Sequence, residues 1–163
     1  IDSRKDNEEG LYVGVRKNNS IGIVLNDGRT QNSWYTEPGI IKKGNWHHVG
    51  IIIDGGPKII SFVIDGKFCD GADYKQFGWG RFSKDLRHAN GNCIKIFDNP
   101  HTVNINDEVK IKSKDNENYK NVYLMRIVQP EDALIVYLRF YKRALMTTEL
   151  IGNYRAQLMK GEI

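Results

Sequence analysis

The chain has 163 residues, 40% of them hydrophobic and 27% charged, with a formal net charge of +4. That length suits one domain with a proper core and is too short to expect two, and the apolar share argues against disorder. No apolar run approaches the roughly 18 residues needed to cross a bilayer, so no membrane insertion is expected; the basic residues are scattered, which argues against nucleic acid as a partner.

In chain order, Ile1 opens on Asp2-Ser3-Arg4-Lys5-Asp6, which has no signal-peptide core. The non-Met start leads us to expect a processed product or an excised piece. Expected strands follow at Leu11–Arg16, Ser20–Leu25 and Gln31–Tyr35, separated by Lys17-Asn18-Asn19 and Asn26-Asp27-Gly28. Trp46–Ile53, Lys58–Ile64 and Lys67–Cys69 come next, rich in Val and Ile and joined by Asp54-Gly55-Gly56-Pro57 and Asp65-Gly66. Asp-Gly favours a type I′ hairpin, because both central positions of that turn need positive φ. These three strands therefore read as a tight antiparallel meander. Cys93–Phe97, Val109–Lys112, Val122–Val128 and Leu134–Tyr141 complete the set, and many short strands separated by turns indicate an all-β sandwich. One helix is expected over Thr147–Leu158, where Leu150, Ile151, Tyr154 and Leu158 share a face.

Two long loops, residues 70–92 and 99–121, interrupt this pattern. The first holds Tyr74 and the cluster Phe77-Gly78-Trp79-Gly80-Arg81-Phe82; the second is polar around Lys114–Asn118. Lys110, Lys112 and Lys114 alternate with Val109 and Ile111, as the wet face of a strand does. Cys69 and Cys93 fit either one disulfide or two buried thiols.

In combination, three stretches carry a resemblance. Gly44-Asn45-Trp46-His47-His48-Val49 with Asp54-Gly55-Gly56 is similar to a "W-H-H-V…D-G" strand, and Phe62-Val63-Ile64-Asp65-Gly66-Lys67 to a "Y-V-D-G-K" hairpin. Leu138-Arg139-Phe140-Tyr141-Lys142-Arg143-Ala144-Leu145 with Thr148-Glu149-Leu150 is similar to a closing "L-R-I-Y-N-R-A-L-S…E-I" strand and helix. From about residue 10 onward the chain resembles the concanavalin A-like lectin/glucanase superfamily, in its laminin-G-like branch. The resemblance implies an antiparallel two-sheet jelly-roll sandwich with one short C-terminal helix, a single domain over residues 1–163, and family strands missing upstream. Met146 stands where the family places a helix N-cap Ser, so Thr147 or Thr148 is expected to cap instead.

The same resemblance makes Trp46 a core residue. His47 and His48, as neighbours on a strand, point to opposite faces and do not chelate one ion; we expect one satisfied structural histidine and one exposed. Asp54 and Asp65 are explained by their turns. No metal or cofactor is expected; calcium, which some relatives bind through loop oxygens, is the alternative, with Asp70, Asp73 and Asp98 as candidate ligands, and no spaced Asp/Asn loop is present. Glycoside hydrolysis needs two carboxylates on one cleft, roughly 5–9.5 Å apart. The "E-x-D-x-x-E" strand of the glucanase relatives has no counterpart here, since Glu131-Asp132 and Glu8-Glu9 are turn and opening-segment pairs. No catalytic residues are therefore assigned.

Sugar binding uses aromatic faces with Asn, Asp and Arg at the hydroxyls. Tyr74, Phe77, Trp79, Arg81 and Phe82 supply this chemistry, although folding back of the aromatics as a satellite core is the favoured account of that cluster. Trp34 and Tyr35 are a second pair, one facing in and one out. The expected function is a non-catalytic carbohydrate-recognition module of a larger secreted, periplasmic or cell-surface protein, with a glycan and an adjacent domain as partners. The alternatives are a structural module beside a catalytic domain, and part of a hydrolase whose carboxylates lie outside this chain.

Overall fold

The computed structural model describes residues 1, 4, 9–71, 79–86, 109–110, 124–125, 138–139, 141 and 143–161. They form β1 (Gly10–Val15), β2 (Ile21–Asn26), β3 (Gln31–Tyr35), β4 (Val49–Asp54), β5 (Ile59–Ile64), β6 (Lys67–Phe68), β7 (Trp79–Arg81), β8 (Val109–Lys110), β9 (Leu124–Met125) and helix α1 (Thr147–Met159). All described pairings are antiparallel. β1, β2 and β3 make one meander, with Gly14 opposite Gly22 and Gly22 opposite Tyr35. β5 is the centre of the second sheet, pairing β4 along one edge and β6 and β7 at opposite ends of the other. β8 and β9 form a separate short ladder. The expected strand Cys93–Phe97 lies outside the described residues, as does Leu134–Tyr141 apart from Leu138, Arg139 and Tyr141.

Alternation explains where the core sits. Ile21 and Ile23 of β2 point toward Ile60, Phe62 and Ile64 of β5, and Cys69, Phe82 and Leu86 close this cluster. β5 is buried on its other face too, where Val63 joins Ile52, Leu145 and Leu150. Helix α1 therefore lies over the second sheet, on the face away from the first. That double burial is why Ile59–Ile64 reads as an almost continuous apolar run rather than an alternating one.

The Asp65-Gly66 turn takes positive φ at both residues, 50° and 69°, as a type I′ hairpin requires. The β4–β5 turn differs from expectation. Asp54 ends the strand, its Oδ1 accepting from the Gly56 N–H at 3.0 Å, and the turn runs over Gly55–Lys58 with Lys58 at φ 60°. The expected loop 70–92 contains a strand, β7, that its glycines concealed. Gly80 sits there because Trp34 of β3 crosses it, its Nε1 2.5 Å from where a Cβ would stand.

The helix start also corrects the sequence reading. Met146, not a threonine, is the N-cap, and Glu149 supplies the missing polarity by accepting from the Met146 N–H at 2.8 Å. Arg143 holds that carboxylate through two hydrogen bonds, of 2.7 and 2.6 Å. The result is the return half of a capping box, which needs no side-chain oxygen at the cap.

Candidate functional site on the outer face of the first sheet

With Leu11, Val13, Leu25 and Trp34 packed on the core, strand periodicity sends Tyr12, Gly14, Gly22, Val24, Ser33 and Tyr35 to the other face. No side chain projects from the centre of that face, because Gly14 and Gly22 are register partners. A Cβ on Gly14 would collide with the Tyr12 ring, and one on Gly22 would lie 2.9 Å from Tyr35 Cδ1. The two glycines thus let two tyrosines of the same sheet close down on the backbone.

Cations complete the arrangement. The Arg16 guanidinium lies 4.0 Å from the centroid of the Tyr35 ring, and that of Arg4 lies 4.5 Å from the centroid of Tyr12. Each is a cation–π contact of about 0.5–1 kcal/mol at an exposed site. A depression of about 530 Å³ opens here, lined by Tyr12, Val15, Arg16, Lys17, Asn18, Gly22, Val24 and Tyr35. Among the described residues the lining carries two cations, two phenol rings and an amide, and no carboxylate. The β1–β2 turn fixes its rim: Asn18 Oδ1 accepts from the Ser20 hydroxyl at 2.7 Å, and the Asn18 carbonyl accepts from the Gly39 N–H at 2.9 Å.

Of the residues singled out from sequence, Trp34 packs against the core and Tyr35 lies on this outer face, lining the depression. Phe82 is 5% exposed and belongs to the core between the sheets, with the Lys58 ammonium 5.3 Å from its ring centroid. Arg81 is exposed at the end of β7, on the strand that also holds Trp79. Tyr74, Phe77, Asp73 and Asp98 lie outside the described residues, and Asp70 is exposed. Among the described residues no group of three His, Cys, Asp or Glu side chains converges to hold an ion. The residues that sequence reasoning missed are Tyr12, Gly14, Arg16 and Gly22. Their signal was present as period-two spacing, Tyr-x-Gly-x-Arg on one strand and Gly-x-Val on the next, a strand face with room and charge rather than apolar bulk.

Trp46 and the histidines depart from expectation. Trp46 is 59% exposed, because β4 begins only at Val49 and the preceding residues form a loop outside the sheet. His47 pins that loop. Its Nδ1 donates to Asp65 Oδ2 at 2.7 Å, and its Nε2 accepts from the Lys42 N–H at 2.9 Å. The other oxygen of Asp65 accepts from the His48 N–H at 2.8 Å. Neither histidine is the exposed one expected: His48 Nδ1 is buried and, among the described residues, meets no hydrogen-bond partner, and its ring centroid lies 5.7 Å from that of Tyr154 in α1. Burial pulls its pKa below 6.5, opposed by Asp65 and reinforced by Arg139.

Cys69 is a free thiol in the core, and burial, reinforced by Glu37, pushes its pKa up to about 12. It is chemically quiet at neutral pH, while Cys93 lies outside the described residues. Among the described residues no helix is long and apolar enough to cross a membrane. The chain matches no protein-family model, no curated protein and no solved structure.

Proposed function

We propose that this chain is a non-catalytic module that recognises carbohydrate, built as a laminin-G-like jelly roll and working within a larger secreted or surface glycan-processing protein. The observation that carries the reading is the outer face of β1–β3, where a paired-glycine floor seats Tyr12 and Tyr35 beside Arg16 and a depression of about 530 Å³. A volume in that range suits a small ligand or a sugar unit or two. Phenol rings offer apolar faces for the C–H surface of a pyranose, while Arg16, Lys17 and Asn18 offer donors to its oxygens.

The exposed Trp46 favours a second reading, in which the loop before β4 packs on an adjacent domain. A glycan array with the wild-type chain and Tyr35→Ala separates the two. Binding that Tyr35→Ala abolishes, with unchanged circular dichroism, supports the carbohydrate reading; an array without signal removes it.

A further inference from the structure

We infer that the sugar taken by this face is acidic, a hexuronate whose carboxylate is gripped by Arg16; the inference rests on the carbohydrate reading. The guanidinium of Arg16 lies over the Tyr35 ring, 4.0 Å from its centroid. Such a contact engages the charge of the group and leaves its N–H donors for hydrogen bonds. Among the described residues those donors meet no acceptor. Among the described residues the lining of the depression holds no Asp or Glu either. Asn18 spends its side-chain oxygen on Ser20, whose backbone N–H and hydroxyl both donate to it, so only its NH₂ donors remain to offer. Lys17 adds a second positive charge on the same rim.

Among the described residues the charged and amide side chains of the site therefore offer donors only, and the two phenol oxygens are its side-chain acceptors. A neutral sugar hydroxyl both donates and accepts, and would leave that imbalance uncorrected. A carboxylate only accepts, carries the complementary charge and matches the guanidinium fork with two parallel hydrogen bonds. In a hexuronate it is joined directly to a ring carbon, so a ring seated beside Tyr12 and Tyr35 presents it to the rim where Arg16 stands. A sulfate ester is tetrahedral and projects one oxygen further from the ring, a poorer match to a planar group. Arg16, held over Tyr35, is preorganised and loses little freedom on binding.

The experiment compares sodium polygalacturonate, dextran sulfate and a neutral β-glucan by affinity electrophoresis and calorimetry, using the full chain and the variants Arg16→Gln, Arg16→Lys and Tyr35→Ala. Arg16 is exposed, so its variants should retain the wild-type melting temperature. Polygalacturonate is expected to bind most tightly and to weaken as NaCl is raised. Arg16→Gln should lose about 10- to 100-fold of that affinity, as expected for a charged hydrogen-bond pair. Arg16→Lys should recover only a minor part, because the point charge returns without the fork. Equal binding of the β-glucan, with Arg16→Gln changing nothing, overturns the uronate inference and leaves the carbohydrate reading standing. Tighter binding of dextran sulfate, fully restored in Arg16→Lys, also overturns it in favour of unspecific charge. No binding to any of the three, together with a silent array, removes both.

Discussion

On the outer face of the second sheet, Gly50 of β4 makes room for Leu150 and Gly66 makes room for Tyr154, both side chains of α1. On the outer face of the first sheet, Gly14 and Gly22 make room for Tyr12 and Tyr35, side chains of that sheet itself. In each case a backbone position without a Cβ admits a large side chain close to the main chain. Where the guest comes from another element, the face is closed and becomes core: Leu150 is 6% exposed and joins Ile52, Val63 and Leu145. Where the guest comes from the same sheet, the face stays open, and the rings line a depression instead of filling it. The origin of the guest side chain, rather than the glycine, decides between packing and a candidate site.

The strongest test of this difference is to remove a guest from the closed face. Leu150→Ala deletes a buried side chain between helix and sheet and should cost about 2–5 kcal/mol, read from urea unfolding. A cost under about 0.5 kcal/mol would mean that α1 does not seal the second sheet. Adding a Cβ to each floor gives the next largest contrast. At Gly50 it would stand 2.6 Å from Leu150 Cδ1 inside a packed cluster, so Gly50→Ala should lose about 1–3 kcal/mol. At Gly22 the new methyl meets Tyr35, whose ring can swing toward solvent, and the strand gains from losing a glycine. Gly22→Ala should therefore change stability by less than about 1 kcal/mol while displacing Tyr35 and weakening glycan binding. Equal destabilisation by both substitutions would erase the distinction between the faces.

The closed face also carries a pH dependence. His48 is held neutral by burial against Tyr154, so the folded chain binds a proton there less readily than the unfolded chain. Its contribution to stability is complete above the ordinary value of 6.5 and is lost as pH falls from there through the lowered folded value. Unfolding curves of wild type and His48→Gln should thus converge as the pH drops below 6.5. A constant gap across that range would remove His48 as the titrating group.

Much of this arrangement was legible in the order of residues. The strands before Ile64 and the C-terminal helix followed from alternation, Asp-Gly turns and the 3.6-residue period, because those signals act locally. β7 was not legible, since its pairing depends on Trp34 lying over Gly80, a contact between residues far apart in sequence. The Met146 cap was hidden for a related reason: the stabilising oxygen sits on Glu149, three residues beyond the position it serves. Of the candidate site, Tyr35 could be read from its neighbour Trp34, whereas Tyr12 and Arg16 gained meaning only once Gly14 and Gly22 came into register. Of the aromatic stretch Phe77–Phe82, Phe82 lies in the core between the sheets, in keeping with the expectation that these rings fold back onto the sandwich.

Trp46 gives the smallest expected effect on stability and the sharpest check on how a family-like motif should be read. A tryptophan packed in a sandwich core costs about 3–5 kcal/mol when cut to alanine. Here the loop carrying Trp46 is anchored by its neighbour instead: His47 bridges Asp65 and Lys42, and the Trp46 side chain remains 59% exposed. Trp46→Ala should accordingly shift the unfolding free energy by no more than about 0.5 kcal/mol, as surface substitutions do. Asp65→Ala should cost more, about 1–3 kcal/mol, because it leaves the His48 N–H without its acceptor and releases the loop. If the order of these two is reversed, the tryptophan is part of the core and the exposed surface before β4 has to be given up as a contact face.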